Sequence, residues 1–147
     1  MPRKHSGRIF LSVILIIISF GSAGVDFNTS HIFNPTWPPH ARYHDVMLLI
    51  LLIGAACISI WLLWRRSKEP FVGLLVATLI IMIFAASFFL AWLVPGASPS
   101  LAPDGSTPLF AGIPILPNIV AAFLVLILTP FAYRLCCKQL AEEAKNV

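Results

Sequence analysis

The 147-residue chain is poor in charged residues. Only 11% of its residues are Asp, Glu, Lys or Arg, whereas soluble domains carry roughly 25%. Hydrophobic residues make up 59% of the chain, and its mean hydropathy is +0.90. A soluble monomer of this size could not cover so much apolar surface, so we expect the lipid bilayer to be its solvent.

Several sequence motifs that would identify a metal site, a catalytic site or a nucleic-acid-binding surface are also missing. The three cysteines show no C-x-x-C or Cys/His metal spacing. No nucleophile elbow or Ser/His/Asp order is present, and no basic helix or aromatic-basic strand pattern favours nucleic-acid binding. Apart from Arg134 at the end of the fourth, the long apolar runs contain no Lys, Arg, Asp or Glu. Ion pumps and proton relays usually place such residues within the membrane, so a proton-coupled transporter is disfavoured.

Four apolar runs are long enough to cross a bilayer, which takes about 20 residues per helix. We therefore predict an all-α fold: a single membrane domain over 1–147 that forms a four-helix transmembrane bundle. The predicted spans are 9–25, 46–64, 71–94 and 119–135, and the two long loops are 26–45 and 95–118. Span one also resembles a cleavable signal peptide, and its cleavage would leave three spans.

The basic residues predict the direction of the chain across the membrane. Nine of the ten Lys and Arg residues lie before span one, between spans two and three, or at and after the end of span four; Arg42 is the exception. The positive-inside rule then places both termini in the cytoplasm and both long loops outside. No eukaryotic sorting signal is visible, so we expect a bacterial inner (plasma) membrane.

The first outer loop carries a segment unlike the rest of the chain, H-I-F-N-P-T-W-P-P-H-A-R-Y-H-D over residues 31–45. Pro39 suits the first position of a helix. A helix from Pro39 to Trp64 would be ~39 Å long at 1.5 Å per residue, against a hydrocarbon core of ~30 Å. Its first turns would therefore project outside, and would place His40 and His44 one turn apart on one face.

Four interpretations of this segment remain open. His31, His40 and His44 could ligate a divalent metal, completed by Asp26, Asp45 or Asp104. His40 and His44 could instead be catalytic, as acids or bases acting on a lipid-soluble substrate. The segment could also bind an anionic or amphipathic ligand without chemistry, or simply anchor a helix in the headgroup zone. The candidate ligand-binding residues are Asn34, Trp37, Arg42, Tyr43 and Asp45.

The pattern H-x-x-N-P-x-W-P-P-H-A-x-x-H, from His31 to His44, resembles a signature of small, uncharacterised multi-pass membrane proteins. The resemblance implies four spans and a shared role for the outer segment, and it implies no reaction. We expect an outward-facing site for a small lipophilic or anionic ligand, and a metal-dependent membrane enzyme is one form that this expectation takes. The alternative is a non-catalytic partner subunit, carrier or assembly factor, alone or as an oligomer. Whether the chain is an enzyme stays open.

Overall fold

A computed structural model describes residues 5–100, 109–111 and 113–145, and it is helical almost throughout. The predicted all-α, four-helix fold is confirmed, and each helix is long and apolar enough to cross a membrane. A 3₁₀ turn over Ala91–Leu93 follows the third helix, and two-residue strands at Leu109–Phe110 and Ile113–Pro114 pair antiparallel before the fourth. The helices are α1 Ser6–Asp26, α2 Pro39–Trp64, α3 Pro70–Leu90 and α4 Pro117–Lys145.

Proline sets where three of the helices begin. Pro39, Pro70 and Pro117 are the first residues of α2, α3 and α4. The N–H that proline lacks has no intrahelical partner at this position, and its fixed φ suits a helix start. The observed α2 covers the 26 residues expected from Pro39 to Trp64. In contrast, α4 continues ten residues beyond the predicted span 119–135.

The helices pack as an up-and-down ring in which each helix touches the next and α4 returns to α1. One end, which we call the basic end, holds the start of α1, the α2–α3 connection and the last turns of α4. The opposite end, the histidine end, holds the α1–α2 loop and the start of α4. Asp26 and His31 lie at the histidine end, and Arg8 and Lys138 belong to the basic end.

The bundle interior is small and the outer surface is apolar. Leu11, Leu15 and Ile81 are fully buried in the core. Many large apolar side chains point outward instead, and those of Ile50 and Ile83 are 66% and 67% exposed. Water would penalise such a surface, whereas lipid tails solvate it. The chain is therefore an integral membrane protein.

Serine and threonine hydroxyls inside the helices form hydrogen bonds within their own helix. The hydroxyls of Ser19, Ser59 and Thr129 donate to the carbonyl oxygens four residues earlier, at 2.6, 2.7 and 2.7 Å. All three side chains are buried. Such back-bonding satisfies a hydroxyl where no water is available. These hydroxyls therefore need no ligand to satisfy them.

The basic end is closed by a polar contact between α1 and α4. The Gln139 side-chain oxygen accepts a hydrogen bond from the Gly7 backbone N–H at 3.0 Å, and its amide nitrogen donates to Ser6 Oγ at 2.5 Å. Glu143 lies 3.7 Å from Arg8. The first N–H groups of a helix lack intrahelical acceptors, so α4 caps α1. This contact holds the polar last turns of α4 against the start of α1.

Candidate functional site

The α1–α2 loop is folded by its own side chains. The Asn28 side-chain oxygen accepts from the Ser30 N–H at 2.7 Å, and the Asn34 side-chain oxygen accepts from the Thr36 N–H at 3.0 Å. These are the turns that asparagine favours. Ile32 is buried, and its backbone N–H donates to the Asp26 carbonyl at 3.1 Å. The loop is thereby held against the end of α1.

Arg42 ties this loop to α2. One guanidinium nitrogen, Nη2, donates to the Asn34 backbone carbonyl at 2.7 Å. The Arg42 Nε and one carboxylate oxygen of Asp45, Oδ2, are buried and have no hydrogen-bond partner among the described residues. Both Asn34 and Arg42 were predicted to bind a ligand. In the structure, the Arg42 guanidinium bonds to the Asn34 backbone carbonyl, and this contact fixes the shape of the loop.

His31 belongs to the α1–α2 loop, and its side chain is 16% exposed. Its Nδ1 is 2.8 Å from Ser30 Oγ, and its Nε2 is 3.8 Å from an Asp26 carboxylate oxygen. Its ring meets Trp37 edge to face, with 5.5 Å between the ring centroids. His31 thus contacts Asp26, Ser30 and Trp37 together.

His40 and His44 form a separate, exposed pair. Their Nε2 atoms are 3.0 Å apart and their ring centroids 4.4 Å apart. Tyr43 stacks edge to face on His44 at 5.7 Å. Among the described residues, no three His, Cys, Asp or Glu side chains come together as a metal-binding group. The structure therefore does not join His31 to this pair, and Asp104 lies outside the described residues.

A cavity of about 520 Å³ opens at the histidine end between α1, α3 and α4. Its size falls within the ~300–1,000 Å³ of typical small-molecule sites. The walls are mainly apolar, and three polar side chains converge at its loop-facing end: Asp26, His31 and Asn118. The remaining lining residues are Ile17, Ile18, Gly21, Ser22, Val25, Phe84, Ala85, Phe88, Pro117, Ala121, Ala122 and Val125.

Small residues make room for this cavity. A Cβ added at Gly21 would meet no atom within 4 Å, and Ser22 and Ala121 line the same space. At the basic end, in contrast, a Cβ added at Gly7 would come within 2.6 Å of the Cys136 backbone nitrogen. Small residues therefore allow close helix packing at one end and leave an open space at the other.

Of the residues named from the sequence, His31 and Asp26 line the cavity. The other candidates, from Asn34 to Asp45, belong to the loop and to the start of α2, which does not contribute to its wall. Sequence reasoning considered Asp26 only as a possible metal ligand and missed Asn118. One signal was available: Asp26 is the first charged residue after span one, and spans one, three and four carry small residues at similar depth.

A model of a family of unknown function, DUF6640, matches residues 10–146. The chain belongs to DUF6640. The match covers nearly the whole chain, including all the residues that line the cavity. It confirms the expected membership in an uncharacterised family of small four-helix proteins. No curated protein and no solved structure matches this DUF6640 chain.

Proposed function

We propose that this DUF6640 protein binds a small lipophilic molecule in the cavity between α1, α3 and α4. The observation that carries the proposal is the cavity itself: about 520 Å³, apolar along its walls and polar at one end. Ligand sites typically combine an apolar enclosure with a few convergent polar groups. This arrangement suits a molecule with an apolar body and one polar group.

The segment over residues 31–45, which we call the histidine segment, supports this proposal because it caps the polar end of the cavity. Arg42 holds the Asn34 carbonyl, and the same loop presents His31 to the cavity. His31 next to Asp26 is the predicted residue best placed to exchange a proton with a bound molecule. Binding is the function proposed here, and an enzymatic step on the bound molecule would use this same pair.

The direction of access follows from the distribution of charge. Arg65 and Arg66 lie at the basic end, together with Arg8 and the last turns of α4. The positive-inside rule assigns this end to the cytoplasm. The cavity and the His40–His44 pair then face the outer leaflet of the plasma membrane, from which a lipophilic molecule would enter.

Filling the cavity from Gly21 tests the proposal. Gly21→Leu would project a side chain into the cavity, whereas Gly24→Leu adds the same side chain on the same helix where nothing lies within 4 Å and no cavity is lined. The chain, purified without a tag that contains histidine, is released from lipid nanodiscs into a native mass spectrometer. Bound small molecules appear as added mass.

We expect a retained lipophilic adduct on wild type and on Gly24→Leu, and its loss from Gly21→Leu. Both variants replace a helical glycine, so helix propensity changes equally. Adducts of equal abundance on all three proteins, or a wild-type chain that carries none, would contradict a ligand site in this cavity.

Divalent metal binding by His40 and His44 is a second candidate function. Their Nε2 atoms are 3.0 Å apart and exposed, close to the spacing of neighbouring imidazole ligands that each bind Zn²⁺ at ~2.0–2.1 Å. Metal content of the tag-free protein, measured for wild type and for His40→Ala/His44→Ala, tests it. Near-stoichiometric metal that the double variant loses supports the candidate, and equal metal content in both removes it.

A further inference from the structure

We propose that the ligand of this cavity carries a protonated amine, which the Asp26 carboxylate receives at the polar end. The inference rests on the proposed function and adds the charge and hydrogen-bonding character of the ligand. Two sources share this chemistry: a free lipophilic amine, and the primary ammonium of an aminophospholipid.

Asp26 is the carboxylate in the lining of the cavity, and His31 beside it is charged only when it is protonated. Within the described chain, no lysine or arginine lines the cavity. Arg42 belongs to the loop, and its Nη2 donates to the Asn34 carbonyl. The carboxylate of Asp26 lines the space directly, and His31 Nε2 lies 3.8 Å from one of its oxygens. A ligand anion would be repelled here, whereas a cation would be attracted.

Among the described residues, the ion-pair partner of the Asp26 carboxylate is His31, and this pair is long. The Asp26 side chain is 21% exposed, and its ion pair with His31 Nε2 is 3.8 Å long. A hydrogen bond between nitrogen and oxygen requires about 2.7–3.2 Å. The His31 imidazole is therefore too far away to donate a hydrogen bond to this carboxylate oxygen. Even partial burial of a carboxylate that has no close donor is costly. An ammonium entering from the cavity would supply N–H donors and a compensating charge together.

The backbone fixes Asp26 in this position. The Asp26 carbonyl accepts from the Asn28 and Ile32 backbone N–H groups, at 2.9 and 3.1 Å, and buried Ile32 anchors the turn. The carboxylate therefore sits at a rigid junction between α1 and its loop. Below it, Val25 and Phe88 belong to the apolar wall. This order, apolar wall and then carboxylate, matches an alkyl body that ends in an ammonium.

Three probes of equal chain length separate the charge of the head group from its apolar body. Dodecylamine, dodecanol and dodecanoate are titrated onto the full chain in phosphatidylcholine nanodiscs, and bound probe is counted by native mass spectrometry. Wild type is compared with Asp26→Asn, which keeps the size of the side chain, and with Gly21→Leu. Partition of each probe into the disc is common to all variants, so differences between variants report the protein.

We expect wild type to bind dodecylamine more tightly than dodecanol, and dodecanoate most weakly. Asp26→Asn should weaken dodecylamine binding about tenfold to a hundredfold, the effect of losing a hydrogen bond to a charged group, and should leave dodecanol binding within about threefold. Retained dodecanol binding shows that the variant is folded. Dodecylamine binding that Asp26→Asn leaves unchanged would overturn the inference.

The same experiment distinguishes failure of the inference from failure of the proposed function. If Gly21→Leu removes dodecanol and dodecylamine alike while Asp26→Asn removes neither, the cavity binds lipophiles without selecting an amine. If no probe responds to Gly21→Leu, both proposals fail.

A lipid arm then identifies the source of the amine. In discs of equimolar phosphatidylethanolamine and phosphatidylcholine, preferential retention of phosphatidylethanolamine that requires Asp26 supports a lipid head group, because the quaternary choline head group has no N–H donor. Selection of dodecylamine without that preference supports a free lipophilic amine.

Discussion

Replacing Gly7 by alanine tests the helix contact that closes the basic end. An added Cβ would lie 2.6 Å from the Cys136 backbone nitrogen and 2.7 Å from its Cα, against the 3.4 Å at which ordinary contact begins. Backbone atoms of α4 cannot rotate away as a side chain does. The two helices must therefore separate by about 0.8 Å, which also stretches the 3.0 Å hydrogen bond from Gly7 to Gln139.

The expected change in the free energy of unfolding follows from two opposing effects. Overpacking a fitted contact typically costs ~1–3 kcal/mol, whereas glycine to alanine in a helix gains ~0.5–1 kcal/mol. Gly24→Ala provides the matched control, because its new Cβ meets nothing within 4 Å. The propensity gain is common to both, so Gly7→Ala should be less stable than Gly24→Ala by the ~1–3 kcal/mol of the contact itself.

The assay is unfolding by SDS in mixed micelles, followed by tryptophan fluorescence. Trp64 is a suitable reporter, since its indole N–H donates to Ser12 Oγ at 3.0 Å and its ring contacts His5 at the same end. We expect Gly7→Ala to unfold with its midpoint at a lower SDS content than Gly24→Ala. Equal midpoints for the two variants would refute the close approach of α1 and α4.

The remaining predictions concern the α4 cap and the direction of the chain. Gln139→Leu leaves the Gly7 N–H without an acceptor, so we expect a loss of ~1–3 kcal/mol in the same unfolding assay; a wild-type midpoint would contradict the capping role. In a cysteine-free background, Ser30→Cys should react with a membrane-impermeant maleimide on intact cells, and Ser67→Cys only after permeabilisation. The opposite labelling pattern would reverse the assigned orientation.

The fold was predictable because the bilayer imposes strong constraints. A spanning segment must satisfy its own backbone hydrogen bonds and must be apolar for about 20 residues, and both requirements are visible in sequence. Proline at Pro39 fixed the start of α2 in the same local way. The extension of α4 was not predictable by these means, since its last turns are polar and do not need to span lipid. Gln139 and Glu143 contact α1 there, more than 130 residues away for Gln139.

The candidate site was less accessible to sequence reasoning. The histidine segment is contiguous and conspicuous, whereas the cavity is assembled from three helices that are distant in sequence. Small residues are ambiguous as well, since Gly7 and Gly73 lie against neighbouring backbone while Gly21 borders open space. Only the helix arrangement distinguishes these cases. His31 was identified because it belongs both to the segment and to the cavity.

Photo-crosslinking tests the central claim most directly. A dodecanol analogue that carries a diazirine is added to the protein in nanodiscs, irradiated, and mapped by peptide mass spectrometry in wild type, Gly21→Leu and Gly24→Leu. We predict crosslinks in 17–25, 84–88 and 117–125 that persist in Gly24→Leu and disappear in Gly21→Leu. Crosslinks that Gly21→Leu does not change, or that concentrate at the start of α2 around His40 and His44, would contradict a ligand site between α1, α3 and α4.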